Sequence, residues 1–578
     1  MDLEKIKAKI QAGETALGIE LGSTRIKAVL MTDTIEPVAT GSFNWENRLE
    51  NGVWTYDLAE AWQGIQSCYR ALAASVQEKY GIRLEKIGSM GVSAMMHGYL
   101  PFNAKDELLV PFRTWRNNIT GQAADELTEA LGFNIPQRWS IAHLYQAVLN
   151  KEPHVPEISF FTTLAGYIHW QLCGEKVLGI GDASGMFPVD EAAGSYDAGM
   201  LAKFDSLEKV EKQPWKLADI LPGVLPAGRS AGRLTEKGAR LLDPAGNLQP
   251  GTLLAPPEGD AGTGMVGTNS VRKRTGNISV GTSAFSMNVL EKPLKAVHRD
   301  IDIVTTPDGA PVAMVHVNNC SSDINAWAGL FGEFAAALGV ETAPDKLYSV
   351  LFNQVRQAEP DAGGLTNYSF LSGENITATQ EGRPLFVRTP HSRMNLPNFM
   401  LAQLYSAFAA LKIGMDVLIN EENVRTDVML AQGGLFKTPV IGQQVLANAL
   451  EIPITIMDSA GEAVRGVWRC WRCMQAFIRM VWIWQISWMR RCSRGHPLLQ
   501  CSHSRKWWRA ASGLFSVSAA AYASRRGTPC ADKRATASLG DSSSAAISSA
   551  RRPITLSVWA AGGVKFFCTT RQNSPLSP

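Results

Sequence analysis

Asp260 stands in PPEGDAGTGMVGTN, Pro256 to Asn269, between Gly259 and the small residues Ala261, Gly262 and Gly264. Residues this small let a ligand approach closely, and a carboxylate can take a proton from an attacking hydroxyl. The same pattern also suits a helix N-cap with no chemistry, so the segment alone leaves both readings open. Two other segments offer places for phosphate. In LGIELGSTRIKAVL, Leu17 to Leu30, an apolar strand turns at Gly22, Ser23 and Thr24 and returns as a second strand. Such a turn presents backbone N–H groups and two hydroxyls to one anion, though it is also an ordinary hairpin. Glu20 precedes it, where a carboxylate can hold Mg2+ through water, and Lys27 follows as a mobile positive charge. GNISVGTSAFS, Gly276 to Ser286, repeats the arrangement at Gly281, Thr282 and Ser283. MLAQGGLFKTP, Met429 to Pro439, ends a strand on Gly433 and Gly434, a pair that lets a flat adenine ring lie against backbone. In this order the four segments have the parts expected of a split ATP site.

Two similar strand-turn loops imply two similar α/β domains facing each other, and 578 residues suffice for two substantial cores. With 45% hydrophobic and 19% charged residues the chain has the composition of a soluble enzyme. The start, MDLEKIKAKIQAGE, alternates charges at helical spacing and lacks the apolar stretch of a signal peptide, so residues 1–16 read as a short surface helix. No run reaches the length of a transmembrane helix. The first domain is expected over residues 17–272 and the second over 273–462, with a helix near Met400 to Asn420 and a solvated turn at Arg272, Lys273 and Arg274. Cys68, Cys173 and Cys320 are scattered, as suits reduced thiols in a cytoplasm. Cys320 lies in HVNNCSSDINAW, which reads as a loop capping a helix.

These motifs, together with MGVSAMMHGYLPFN (Met90 to Asn103), PFRTWRNN (Pro111 to Asn118), GDASGMFPVD (Gly181 to Asp190) and FLSGEN (Phe370 to Asn375), resemble the FGGY family of carbohydrate kinases. Within it the chain most resembles the xylulokinases, over roughly Leu17 to Glu462. The resemblance implies the actin and hexokinase (ribonuclease H-like) fold, two α/β domains around a central cleft. It implies ATP and Mg2+ as cofactors, a small sugar such as the ketopentose D-xylulose as substrate, a cytoplasmic location, and no nucleic-acid or membrane partner; a homodimer is compatible with it. Asp260 then matches the general base. Gly22, Ser23 and Thr24 match the first phosphate loop with Lys27 beside it, Gly281 and Thr282 the second, and Gly433 and Gly434 the adenosine loop. Glu20 stands where the family has aspartate, so with Asp260 it would meet Mg2+ through water. Met96, His97 and Gly98 match the turn lining the sugar site, where an imidazole hydrogen-bonds a sugar hydroxyl. Trp115 matches a buried tryptophan, but the acidic residue expected after it is absent from Arg116, Asn117 and Asn118. The Asn normally following the catalytic Asp is Ala261. Both departures touch the sugar pocket. They leave open ribulose, another ketose or a polyol as the substrate; a catalytically impaired remnant that still binds sugar and nucleotide is the alternative that the segment after Glu462 raises.

Beyond Glu462 the composition changes. Residues 463–578 hold 18 of the 56 Lys and Arg but 2 of the 53 Asp and Glu, giving +16 against −13 for the rest. They also hold 8 of 16 Trp and 6 of 9 Cys. Trp482, Trp484, Trp507 and Trp508 among arginines suggest a nucleic-acid platform, and Cys470 with Cys473 half of a metal site, but no second Cys pair follows at zinc spacing and no hydrophobic period supports a fold. A shifted reading frame explains more. Trp and Met have single codons, so the run Trp468 to Met474, regrouped by one base, becomes apolar. With one G restored after the Glu462 codon, permissible codons give GGAWGMALLALYAG. That continues Ala460-Gly461-Glu462 as the family's helix beside the adenosine site, leaving the written tail as an aberrant segment with no expected fold. Restoring that base is expected to return ATP-dependent sugar phosphorylation, and ending the chain at Glu462 is not. An ATP-consumption assay on both versions and the chain as written checks this; normal turnover by the chain as written refutes the frame reading.

Overall fold

The computed structural model describes residues 3–32 and 37–456, so the expectations for 463–578 lie outside the described residues. The first sheet contains β1 (Ala16–Leu21), β2 (Arg25–Met31), β3 (Pro37–Asn44), β4 (Ser89–Ala94), β5 (Leu253–Leu254) and β6 (Glu258–Gly259). Its order is β5-β4-β1-β2-β3, with β6 also pairing with β4. The second contains β7 (Thr275–Val280), β8 (Ala284–Val289), β9 (Ile301–Thr305), β10 (Pro311–Val317), β11 (Val428–Gly433) and β12 (Ile454–Ile456), in the order β9-β10-β8-β7-β11-β12. In both, an antiparallel hairpin (β1–β2, β7–β8) carries a further antiparallel strand on one side and parallel strands on the other. The duplication implied by the two glycine turns is therefore one of topology. The central strands read as apolar runs because both of their faces are covered.

Helix Leu58–Tyr80 shows how the sequence sets an element. Asp57 accepts from the Ala59 N–H as N-cap, and Gly81 closes the helix in the left-handed region. Its buried face, Ala61, Gly64, Ile65, Cys68, Tyr69, Leu72 and Val76, follows helical spacing. Approach to β3 is close enough that a Cβ on Gly41 would lie 2.0 Å from the Cys68 carbonyl oxygen. The N-terminal helix, Leu3–Ala12, has mostly exposed residues but anchors Ile10 in the first core.

Three sequence expectations change. Arg272 and Lys273 are exposed, but Arg274 is half-buried and ion-paired with Asp427, because its amide and carbonyl also bind Val289 and Asp427 backbone. The expected helix runs Leu396–Asp416 and continues as a π turn, Val417–Glu421. By length and composition this stretch can cross a membrane, where the sequence reading found no such run. Its apolar character has a packing origin: Phe399, Leu401, Leu404, Phe408, Leu411 and Met415 are all buried in the second core, covering most of the helix circumference.

β9 lies beyond β10 at the outer edge of the second sheet, and residues of the first half cover it. Asn134 Nδ2 donates to the Ile301 carbonyl at 2.9 Å, Arg138 pairs with Asp302, and Thr305 N–H donates to Ser184 Oγ at 3.0 Å. A covered edge cannot pair with another chain.

Gly41→Ala is expected to lower unfolding stability by about 3 kcal/mol, since the added methyl meets helix backbone. Gly329→Ala, in helix Ser322–Ala337 with open space around its Cβ, is expected to raise stability by about 0.5–1 kcal/mol. Urea titration of both variants checks the contrast.

Candidate functional site

Strand register builds the site. β4 lies between β1 and β6, with Leu21, Ala94 and Gly259 aligned across the three strands. One residue further the chain leaves the sheet at Gly22, Met95 and Asp260, which therefore meet at one edge. Asp260 is the first residue of helix Asp260–Gly267, and Gly259 is its N-cap, so the carboxylate does not serve as the cap. The helix is pinned to β4 by a hydrogen bond between the Thr263 and Ser93 hydroxyls at 2.9 Å. Asp260 Oδ1 accepts from the Met96 N–H at 3.3 Å. Burial pushes its pKa up to about 6, the nearby Glu20 carboxylate adds to this, and the Met96 and Ala261 N–H groups oppose it.

Glu20 is half-buried and faces Lys27 across the β1–β2 pair, with Lys27 Nζ 3.3 Å from its carboxylate. Lys27 is thus not the mobile charge expected from the sequence: the cross-strand register holds it on Glu20. Burial raises the Glu20 pKa against the opposing effect of Lys27. Glu20 and Asp260 are hard oxygen donors beside a phosphate turn, which suits Mg2+, an ion that keeps waters and substrate phosphates among its ligands. Among the described residues no cluster of three or more His, Cys, Asp or Glu forms a fuller cage.

The two glycine turns share a plan. In the first, Gly22 N–H donates to the Arg25 carbonyl, while Trp45 Nε1 and Tyr56 OH donate to the Gly22 and Ser23 carbonyls, each at 2.7 Å. In the second, Gly281 N–H donates to the Ser283 carbonyl, and Cys320 and Ser321 N–H donate to the Thr282 and Gly281 carbonyls at 2.9 and 3.0 Å. With their carbonyls tied back, the amides of Ser23, Thr24, Thr282 and Ser283 find no acceptor among the described residues. Val280 pairs with Gly433, so Gly434 is next to Gly281. Gly433 has φ 124° and lies so close to β7 that a Cβ would stand 1.9 Å from the Val280 carbonyl oxygen. Packing therefore requires it, whereas nothing lies within 4 Å of a Cβ on Gly434, which keeps the open face.

On the other side of Asp260, His97 and Gly98 both take left-handed backbone, at φ 67° and 93°. The Phe112 ring stands against Gly98. His97 Nδ1 lies 3.0 Å from the Gly185 carbonyl, which fixes the proton on Nδ1 and leaves Nε2 as an acceptor with no partner among the described residues. Burial pushes the imidazole pKa down to about 3, so it is neutral. Trp115 packs against the first core. Beside it Arg116 stacks on Trp54, 3.8 Å from the ring centroid, and Asn117 both donates to and accepts from the Trp54 backbone at 2.8 and 2.7 Å. Asn117, where an acid was expected nearby, braces the loop.

Glu20, Gly22, Ser23, Thr24, Lys27, Met96, His97, Gly98, Asp260 and Ala261 are grouped at the edge of the first sheet, with Trp115 to their side. Gly281, Thr282, Gly433 and Gly434 are grouped at the edge of the second. Sequence reasoning missed Trp45 and Tyr56, and also two carboxyls behind Asp260. Glu258 is fully buried and accepts from the Gly181 and Asp182 N–H groups, at 3.4 and 3.0 Å. Asp182 accepts from Thr163 Oγ1 at 2.6 Å, and burial, with the Asp260 charge adding, raises its pKa to about 7. Their signals were Glu258 two residues before Asp260 and the acid inside GDASG.

Residues 15–245 match the N-terminal domain of the FGGY family of carbohydrate kinases and residues 276–469 its C-terminal domain. The xylulose kinase of Escherichia coli (strain K12) is 24% identical over 422 residues, 70% of this chain and 78% of that protein. The gluconokinase of Bacillus subtilis (strain 168) is 21% identical over 471 residues, 78% of this chain and 85% of that protein. A solved structure of ligand-bound xylulose kinase from Lactobacillus acidophilus has a TM-score of 0.65 at 18% identity, covering 80% of this chain and 90% of that one. This likeness shows the fold, the two-domain actin and hexokinase type.

Asp182 and Asp260 keep protons in the folded state where the unfolded chain, at its ordinary 3.8, has lost them. Their stabilising effect is complete below about pH 4 and disappears as pH rises through 6 to 7. Melting curves of the protein and of Asp182→Asn between pH 4 and 8 check this, with a flatter profile expected for the variant.

Proposed function

Because the chain belongs to the FGGY family of carbohydrate kinases, we propose that it transfers the γ-phosphoryl group of ATP to a hydroxyl of a ketopentose such as D-xylulose. Asp260 is the general base. The observation that carries this reading is the position of Asp260, between a glycine turn with unclaimed amides and the Met96-His97-Gly98 turn. With its pKa raised to about 6, the carboxylate is mostly ionised at pH 7 yet basic enough to accept a hydroxyl proton. Phosphoryl transfer depends on alignment and charge neutralisation more than on covalent chemistry. The amides of Ser23, Thr24, Thr282 and Ser283 serve the phosphates, and Gly434 gives the adenine ring an open backbone face. His97, neutral and fixed by Gly185, accepts a hydrogen bond from a sugar hydroxyl at Nε2, which orients the sugar toward Asp260. Glu20 and Asp260 would hold Mg2+, largely through water, and the ion would supply charge neutralisation on the phosphates.

A second reading, a sugar acid as substrate, is favoured by Arg116. Its guanidinium is exposed on Trp54 and has no carboxylate partner among the described residues. The similarity to gluconokinases points the same way. ATP consumption with D-xylulose and with gluconate separates the two, and no consumption with any sugar or sugar acid would leave the impaired-remnant reading.

In the frame-restored protein, Asp260→Asn is expected to reduce kcat by about a hundredfold or more with sugar affinity within several fold, because an amide cannot accept the proton. His97→Ala is expected to raise the sugar KM far more than the ATP KM. Steady-state kinetics with each substrate varied checks both; near-normal turnover removes Asp260 from the mechanism, and equal effects on both KM values remove His97 from the sugar site.

A further inference from the structure

FLSGEN, Phe370 to Asn375, belongs to neither glycine turn, yet it is locked to the segment behind the second one. Glu374 is fully buried. Its Oε2 accepts from the Asn318 N–H at 2.9 Å, the Asn319 N–H at 3.1 Å and Asn319 Nδ2 at 3.1 Å. Asn319 reciprocates: its Oδ1 accepts from the Leu371 and Ser372 N–H groups, at 2.9 and 3.0 Å, and from Ser372 Oγ at 3.2 Å. The next two residues are the ones that hold the turn, Cys320 through the Thr282 carbonyl and Ser321 through the Gly281 carbonyl, the latter also bound by Ser321 Oγ at 2.6 Å. A carboxylate accepting several N–H bonds in a buried setting gives strong, directional restraint. One carboxylate thus fixes two consecutive amides, and the following two amides fix the turn.

We propose that Glu374, acting through Asn319, is a positioning residue for the second glycine turn, setting the geometry in which Gly281 to Ser283 receives the phosphates of the nucleotide. This inference rests on the reading of that turn as a phosphate site. A carboxylate with only a stabilising role would, when removed, lower the melting temperature and weaken every ligand alike. A positioning carboxylate has a selective effect, since the sugar residues are on the first sheet.

The test uses the full chain and isothermal titration with Mg2+-tripolyphosphate, which needs no adenosine wall, alongside titration with D-xylulose and with gluconate. Glu374→Ala is expected to weaken tripolyphosphate binding about tenfold or more while leaving binding of the sugar ligand within twofold. Glu374→Gln, which keeps one carbonyl acceptor, should fall between. Should Glu374→Ala fail to fold, Ser372→Ala removes a single bond to Asn319 and is expected to shift tripolyphosphate binding in the same direction by a few fold. Gly281→Val tests the turn itself: a Cβ there meets nothing closer than 3.9 Å, and a melting curve checks that the variant is folded. If Gly281→Val weakens tripolyphosphate but the Glu374 and Ser372 variants do not, the positioning role is wrong and the turn reading stands. If Gly281→Val has no effect, or the unsubstituted chain does not bind tripolyphosphate, the turn reading falls and takes the inference with it. Equal weakening of all ligands by Glu374→Ala also overturns the inference.

Discussion

Ala94, held between Leu21 and Gly259 by parallel pairing on both sides, is the constraint on which the first half of the site depends. Side chains alternate along a strand, so a shift of one residue in either pair would turn Glu20 and Glu258 to the opposite face and move Asp260 away from the Met96 amide. The register is secured by burial: Leu17, Ile19, Leu21, Met90, Val92 and Ala94 all lie within the first core. Hydrophobic burial, which is non-directional, thereby produces a polar edge with defined geometry.

That edge concentrates negative charge. Glu20, Asp182, Glu258 and Asp260 all have raised pKa values, each through burial first. Lys27 offsets one of them, and backbone N–H groups satisfy Glu258 and Asp260. Asp182 Oδ1 is buried without a partner. Such an arrangement costs stability, and it is the kind of local violation found at functional sites. The cost is borne by three large cores and by the contact of Asn134, Arg138 and Ser184 with β9.

The second half repeats the solution with different parts. Where Trp45 and Tyr56 tie back the first turn, Cys320 and Ser321 tie back the second. The same topology thus positions two glycine turns through different means, two aromatic side chains at the first and backbone amides with the Ser321 hydroxyl at the second, which is why the duplication is legible in the turns and strands but not in the residues that support them.

The sequence by itself determined the local pieces. Apolar strands ending in Gly-Ser-Thr and Gly-Thr-Ser are short-range patterns, as is Asp260 after Gly259, and each was readable because its physical cause lies within a few residues. The change of composition after Glu462 was readable for the same reason. Only tertiary structure decided what depends on partners distant in sequence. Lys27 was captured by Glu20 through strand register, Gly433 was required by contact with Val280, and Arg274 was drawn to Asp427. The apolar helix Leu396–Asp416 owes its composition to a core that surrounds it. Glu258 and Asp182 showed in the sequence only as acids beside Asp260 and inside GDASG, and Glu374 only as the acid of FLSGEN; their roles came from folding, because a carboxylate acquires such a role only when it is buried against amides from another segment.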